Sequence, residues 1–122
     1  MNAESQAVVA IAMSFVDLLN DIAPGWIKGY LRFSMWGAGH GSNASYASES
    51  GVKIVDPFMS ADFFAKLNAT GVELLKELKK NQGVFLVVID SALNYEVKFE
   101  FEDLERWKIT KLNGASGIPI GL

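Results

Sequence analysis

Apolar residues recur at three- and four-residue steps between Ser5 and Ile22: Val8, Ile11, Ala12, Phe15, Leu18, Leu19 and Ile22. That spacing draws one stripe along a helix and predicts a helix with a single buried face. Ala23-Pro24-Gly25 ends it, because proline cannot donate into the helical ladder and glycine suits the exit. From Trp26 the period becomes two. Ile27, Leu31, Phe33 and Met35, with Gly29 among them, alternate with Trp26, Lys28, Tyr30, Arg32, Ser34 and Trp36. This is the pattern of a strand with one core face and one mixed face.

Gly37-Ala38-Gly39-His40-Gly41 and a small polar run to Ser50 follow, and a weaker strand begins near Tyr46 and covers Val52 to Val55. The glycines suit a loose hairpin between the two. Asp56-Pro57 breaks the chain, and Ser60 stands at the N-cap of a second helix over 61–80. Phe64, Leu67, Gly71, Leu74, Leu75 and Leu78 mark its buried side, and Lys76, Lys79 and Lys80 complement the negative end of its dipole. Gly71 is either a mild helix defect or a point of close packing.

After Asn81-Gln82-Gly83, the continuous apolar run Val84 to Ile89 predicts a central strand covered on both faces. Asp90 to Asn94 makes a turn. Tyr95, Val97, Phe99 and Phe101 then alternate with Glu96, Lys98, Glu100 and Glu102, a half-buried strand. Glu102 to Glu105 reads as a turn or bulge, Trp107 to Leu112 as a further strand, and 113–122 as a docking tail or extended edge. The order α-β-β-α-β-β, with that further strand, predicts one α+β domain over 1–122. Its sheet is mainly antiparallel and both helices pack on one face.

Composition narrows the function classes. The 122 residues are 50% hydrophobic and 20% charged, which fits an ordinary folded domain rather than a disordered chain. No cysteine means no disulfide scaffold, thiol nucleophile or cysteine-built zinc site, and fits a cytoplasmic address. One histidine removes multi-histidine metal sites and most triads. Eleven Lys and Arg against fourteen Asp and Glu leave a charge of -3, which opposes general binding to a phosphate backbone. Ala7 to Phe15 is apolar, but no basic residue precedes it and Asp17 and Asp21 interrupt it. Neither a signal peptide nor a membrane span is expected. The triplets Asn43-Ala44-Ser45 and Asn68-Ala69-Thr70 match a glycosylation sequon by chance.

Candidate chemistry is sparse, and no catalytic residue, cofactor or metal ligand is assigned. The glycine cluster leads into a strand rather than a helix, without the Gly-Lys-Ser/Thr of a phosphate loop. His40, in that loop, has only Ser42, Ser45 and Glu49 nearby. It is a surface histidine, a partner contact, or the base of a small enzyme. Glu96, Glu100 and Glu102 project from one strand face with Lys98 between them, neighbours two apart lying about 7 Å from each other, and Asp103 and Glu105 lie beyond. That set is either a solvated face that blocks edge aggregation or a docking surface for a basic partner. Trp26, Tyr30 and Trp36, interleaved with Lys28 and Arg32, allow three readings. They form a covered minor core, a protein-binding hot spot, or a platform for single-stranded nucleic acid.

Leu74-Leu75-Lys76-Glu77-Leu78-Lys79-Lys80 precedes an apolar strand and then Tyr95-Glu96-Val97-Lys98-Phe99-Glu100-Phe101-Glu102-Asp103-Leu104. A helix ending in a charged turn, a strand, and an aromatic strand closing in an acidic turn resembles the small immunity proteins of bacterial polymorphic-toxin and contact-dependent inhibition systems, the YezG-like kind. The likeness covers about Ser60 to Trp107. It implies a non-catalytic cytoplasmic protein that occludes the active site of a cognate toxin domain, a basic nuclease, without a cofactor. An acidic surface would be steered toward such a partner. The residues offered for that contact are Glu96, Glu100, Glu102, Asp103, Glu105, Trp26, Tyr30, Arg32, Trp36 and His40. The alternative is a single-stranded nucleic-acid module using the first strand's aromatic and basic face.

Overall fold

In the computed structural model, which describes residues 3–122, α1 spans Ala3–Ile22 and β1 spans Lys28–Trp36. β2 (Gly39–Ser48), β3 (Gly51–Ile54), α2 (Ala61–Glu77), β4 (Gly83–Asp90) and β5 (Tyr95–Glu100) follow. The strands form one antiparallel sheet in the order β3-β2-β1-β4-β5, an α+β fold with both helices on the same face. Ile11, Phe15 and Leu19 of α1 and Leu67, Leu74 and Leu75 of α2 pack there with Leu31, Phe33, Phe85, Val87 and Ile89. The helix stripes and the strand period therefore meet in one core, as the patterning requires.

Two glycines set the helix-to-sheet distance. A Cβ on Gly29 would lie 2.7 Å from Leu19 Cδ1, and one on Gly71 would lie 2.7 Å from the Phe33 ring. Gly71 is thus a point of close packing. Ser60 stands at the N-cap position of α2 but makes no side-chain capping bond. The preceding turn is held instead by Asp56, whose Oδ1 accepts from the backbone N–H of Phe58 and Met59 at 2.8 and 3.4 Å. The helix ends at Glu77 rather than Lys80, where Lys79 takes a positive φ.

The expected glycine loop at 37–41 is mostly strand. The turn is only Gly37-Ala38, and β2 runs from Gly39, with Met35 paired to His40 and Ser34 to Gly41. The small residues that hide its period are there because bulky neighbours lie over it. The Trp36 ring covers Gly39 and Gly41, and Ser42 Oγ and Asn68 Oδ1 of α2 hydrogen-bond at 2.7 Å. The later strand reading near Tyr46 to Val55 divides between the end of β2 and the short β3, giving one more strand before α2 than expected.

Trp107 to Leu112 forms no strand. It runs as irregular chain across the sheet face opposite the helices and is bonded back by the tail, Gly117 N–H to Thr110 O and Ile120 N–H to Lys108 O. Trp107 packs on Val84 and Leu86, which explains why β4 reads as apolar on both faces. The tail docks, and the molecule has three layers: helices, sheet and tail.

Candidate functional site

The first-strand set divides between the two faces. Pro24 and Gly25, with Gly25 at φ +89, swing Trp26 out of the strand's alternation before β1 begins. Its ring enters the helix-side core, 5% exposed, and its Nε1 donates to Asn20 Oδ1 at 2.8 Å, while Ile27 faces outward. Tyr30 does lie on the opposite face, but it is buried, and burial pushes its hydroxyl pKa up. Trp36 keeps 43% of its surface. Of the three readings, a continuous aromatic platform is not what forms: Trp26 is in the helix-side core, Tyr30 is buried on the opposite face, and only Trp36 is exposed.

Arg32 is committed to the turn that follows β5. Its Nη2 donates to Leu104 O at 2.7 Å and its Nε to Arg106 O at 2.9 Å. Its β2 neighbour Asn43 donates to Ile109 O, and Ser45 Oγ donates to Gly117 O at 2.6 Å. Burial lowers the guanidinium pKa, opposed by the charges of Glu105 and Asp103. Both sequon asparagines, Asn43 and Asn68, thus have engaged amides.

The acidic residues gather at the far edge of the sheet, and three of them are paired locally. Glu96 lies 3.4 Å from Lys98, Glu100 2.7 Å from Arg106 and Glu105 2.6 Å from Lys108. Glu100 also accepts from the N–H groups of Glu102 and Asp103. The Arg106 hydrogen bond, helped by these amides, holds its carboxyl below the usual range. Lys108 does the same for Glu105. Asp103 accepts from the Glu105 N–H, and Glu102 is exposed. Neutralising pairs leave Glu102 and Asp103 as the part of this cluster open to a partner.

His40 sits in β2, exposed, with its ring stacked on Phe33 at 6.2 Å. Among the described residues no carboxylate hydrogen-bonds that ring, and no group of three or more acidic or histidine side chains is arranged to hold a metal ion. Among the described residues no helix is long and apolar enough to cross a membrane.

The most exposed large apolar side chains among the described residues lie elsewhere, at the corner between β3 and α2. Phe58 is 88% exposed and Met59 85%. They line a shallow groove of about 300 Å³ with Leu18 of α1 and Phe63 of α2. Phe63 joins the groove to the core, its ring centroid 5.9 Å from that of Phe15 and 5.2 Å from that of Phe64. Asp62 lines the same groove, and Asp21 lies one helical turn along from Leu18. The Asp56 turn fixes the two apolar side chains outward. The signal in the sequence is short: two large apolar residues placed after Asp-Pro and before a helix start, outside either periodic stripe. No family model matches this chain, and a comparison with curated proteins finds no match either.

Proposed function

We propose that the chain is a non-catalytic binding protein that docks on a basic protein through the Phe58–Met59 corner. On the resemblance of residues 60–107 to immunity proteins, that partner is a toxin domain whose active site is covered. The observation that carries this reading is the exposure of Phe58 and Met59 beside Leu18 and Phe63, with Asp62 in the same groove and Asp21 nearby. Large apolar side chains of this kind are the anchors that fill a partner's pocket, and carboxylates around them favour a basic surface. Glu102 and Asp103 add acidic surface at the opposite edge of the sheet. The formal charge of -3 points the same way.

No particular observation favours the single-stranded nucleic-acid alternative. Trp26 and Tyr30 are buried, and Arg32 is bonded to the Leu104 and Arg106 carbonyls.

The test compares the tagged wild-type chain with a Phe58→Ser/Met59→Ser variant in capture experiments at low and high salt, with mass spectrometry of what is bound. The variant's stability should stay within about 0.5 kcal/mol, since the side chains lie outside the core. A basic protein captured by the wild type and lost by the variant is the expected result, followed by rescue of growth when the captured domain is co-expressed with the wild type. Nucleic acid in place of protein, or equal capture by both chains, overturns the proposal.

A further inference from the structure

The free edge of β5 carries a second surface, independent of the Phe58–Met59 corner. Asp90 N–H donates to Asn94 O at 3.0 Å, and the β4–β5 register runs from Ile89 opposite Tyr95 to Val84 opposite Glu100. Antiparallel pairs alternate between hydrogen-bonded and non-hydrogen-bonded. Glu96, Lys98 and Glu100 therefore turn their backbone groups to β4, while Tyr95, Val97 and Phe99 turn theirs outward. Among the described residues nothing else hydrogen-bonds to these outward groups, and β5 ends the sheet. Such an edge is a template for another strand.

We infer that β5 pairs with β5 of a second copy of this chain, antiparallel and centred on Val97. The segment Tyr95-Glu96-Val97-Lys98-Phe99 is complementary to itself in that register. Glu96 falls opposite Lys98 of the second copy, and Tyr95 falls opposite Phe99. Val97 meets Val97, and Tyr95, Val97 and Phe99 all form hydrogen-bonded pairs. Glu96 and Lys98 then occupy the non-hydrogen-bonded positions, where side chains approach most closely. Both already lie on one face, 3.4 Å apart within the chain, so the dimer completes an alternating square of charges.

Neighbouring symmetric registers fail on charge. Centring on Glu96 sets Glu96 against Glu96, and centring on Lys98 sets Lys98 against Lys98 and Glu96 against Glu100. A lysine on an edge strand normally discourages pairing. Centring on Phe99 does set Lys98 against Glu100, but Glu100 is already held by Arg106 at 2.7 Å and Glu96 then meets Glu102, so the Val97 register answers the lysine best.

Sedimentation equilibrium of the full chain over a range of concentrations tests this. The wild type should approach twice 13.3 kDa as concentration rises. Glu96→Lys sets lysine against lysine in both symmetric pairs and should raise the dimer dissociation constant about tenfold. It also moves the formal charge from -3 to -1, so weaker dimerisation cannot come from greater overall repulsion. Lys98→Glu should weaken the dimer similarly. The Glu96→Lys/Lys98→Glu chain keeps the charge at -3 and should recover wild-type dimerisation. Circular dichroism checks that each variant is folded. A wild type that stays monomeric throughout, single variants that dimerise as well as it does, or a double variant that fails to recover overturns the inference. Loss of partner capture at Phe58 and Met59 would leave it standing.

Discussion

At Gly71 the second helix and the sheet come closest, and the residue trades one kind of stability for another. Glycine inside a helix costs about 1 kcal/mol against alanine. A methyl group there would stand 2.7 Å from the Phe33 ring, which itself stacks on Phe85 at 5.1 Å and on His40. Phe33 cannot yield without disturbing both neighbours. Overpacking costs about 1–3 kcal/mol, so Gly71→Ala should destabilise by about 1 kcal/mol net, despite its better helix propensity. Urea unfolding measures this. In a Phe33→Leu background, which frees the space, the same substitution should turn neutral or stabilising. An additive effect in the double variant would mean that the clash is not the cause.

At the level of elements, the turn from β5 into the tail is organised by Glu100. Its carboxylate accepts from Arg106 and from two backbone amides, and Arg106 also lies 4.6 Å over the Trp107 ring. The resulting depressed pKa has a definite sign: the stabilisation is complete above the unfolded carboxyl value, about 4.3, and is lost as pH falls through the lower folded value. Glu100→Gln should therefore be less stable than the wild type at neutral pH, and the gap should close in acid. Parallel denaturation series at neutral and acid pH check it; a gap that widens in acid contradicts the assignment. This turn also marks how much the sequence discloses. Both helices, β1, β4 and β5 are legible because their apolar residues follow a period set by one buried face. β2 is not, since Gly39, Gly41 and Ser42 are small where Trp36 and α2 lie over them. The tail's position is not legible either. It and the chain from Leu104 that leads into it are fixed by Arg32, Asn43 and Ser45, polar side chains whose alternation reads equally well as a solvated face. Pairing of Glu100 with Arg106 and Glu105 with Lys108 likewise depends on the turn bringing them together, so a run of acids in the sequence overstates the free charge.

For the whole molecule, the sheet order separates the two proposed surfaces. β5 is one edge; the Phe58–Met59 corner follows β3 at the other. A dimer formed through β5 leaves both corners clear, so each copy can hold its own partner. The acidic residues Glu102 and Asp103 lie instead beside the dimer edge and would add to the field of the pair rather than to the apolar anchor. Light scattering of the purified complex tells these arrangements apart. Wild type should give two chains with two partners, and Glu96→Lys one with one, at nearly equal affinity per site, because neither contact is shared. The contrary outcome is equally informative. Were partner binding to dissolve the dimer, giving one-to-one complexes with the wild type, the partner would occupy β5 itself. The contact would then move from the apolar corner to the strand carrying Glu96 and Lys98.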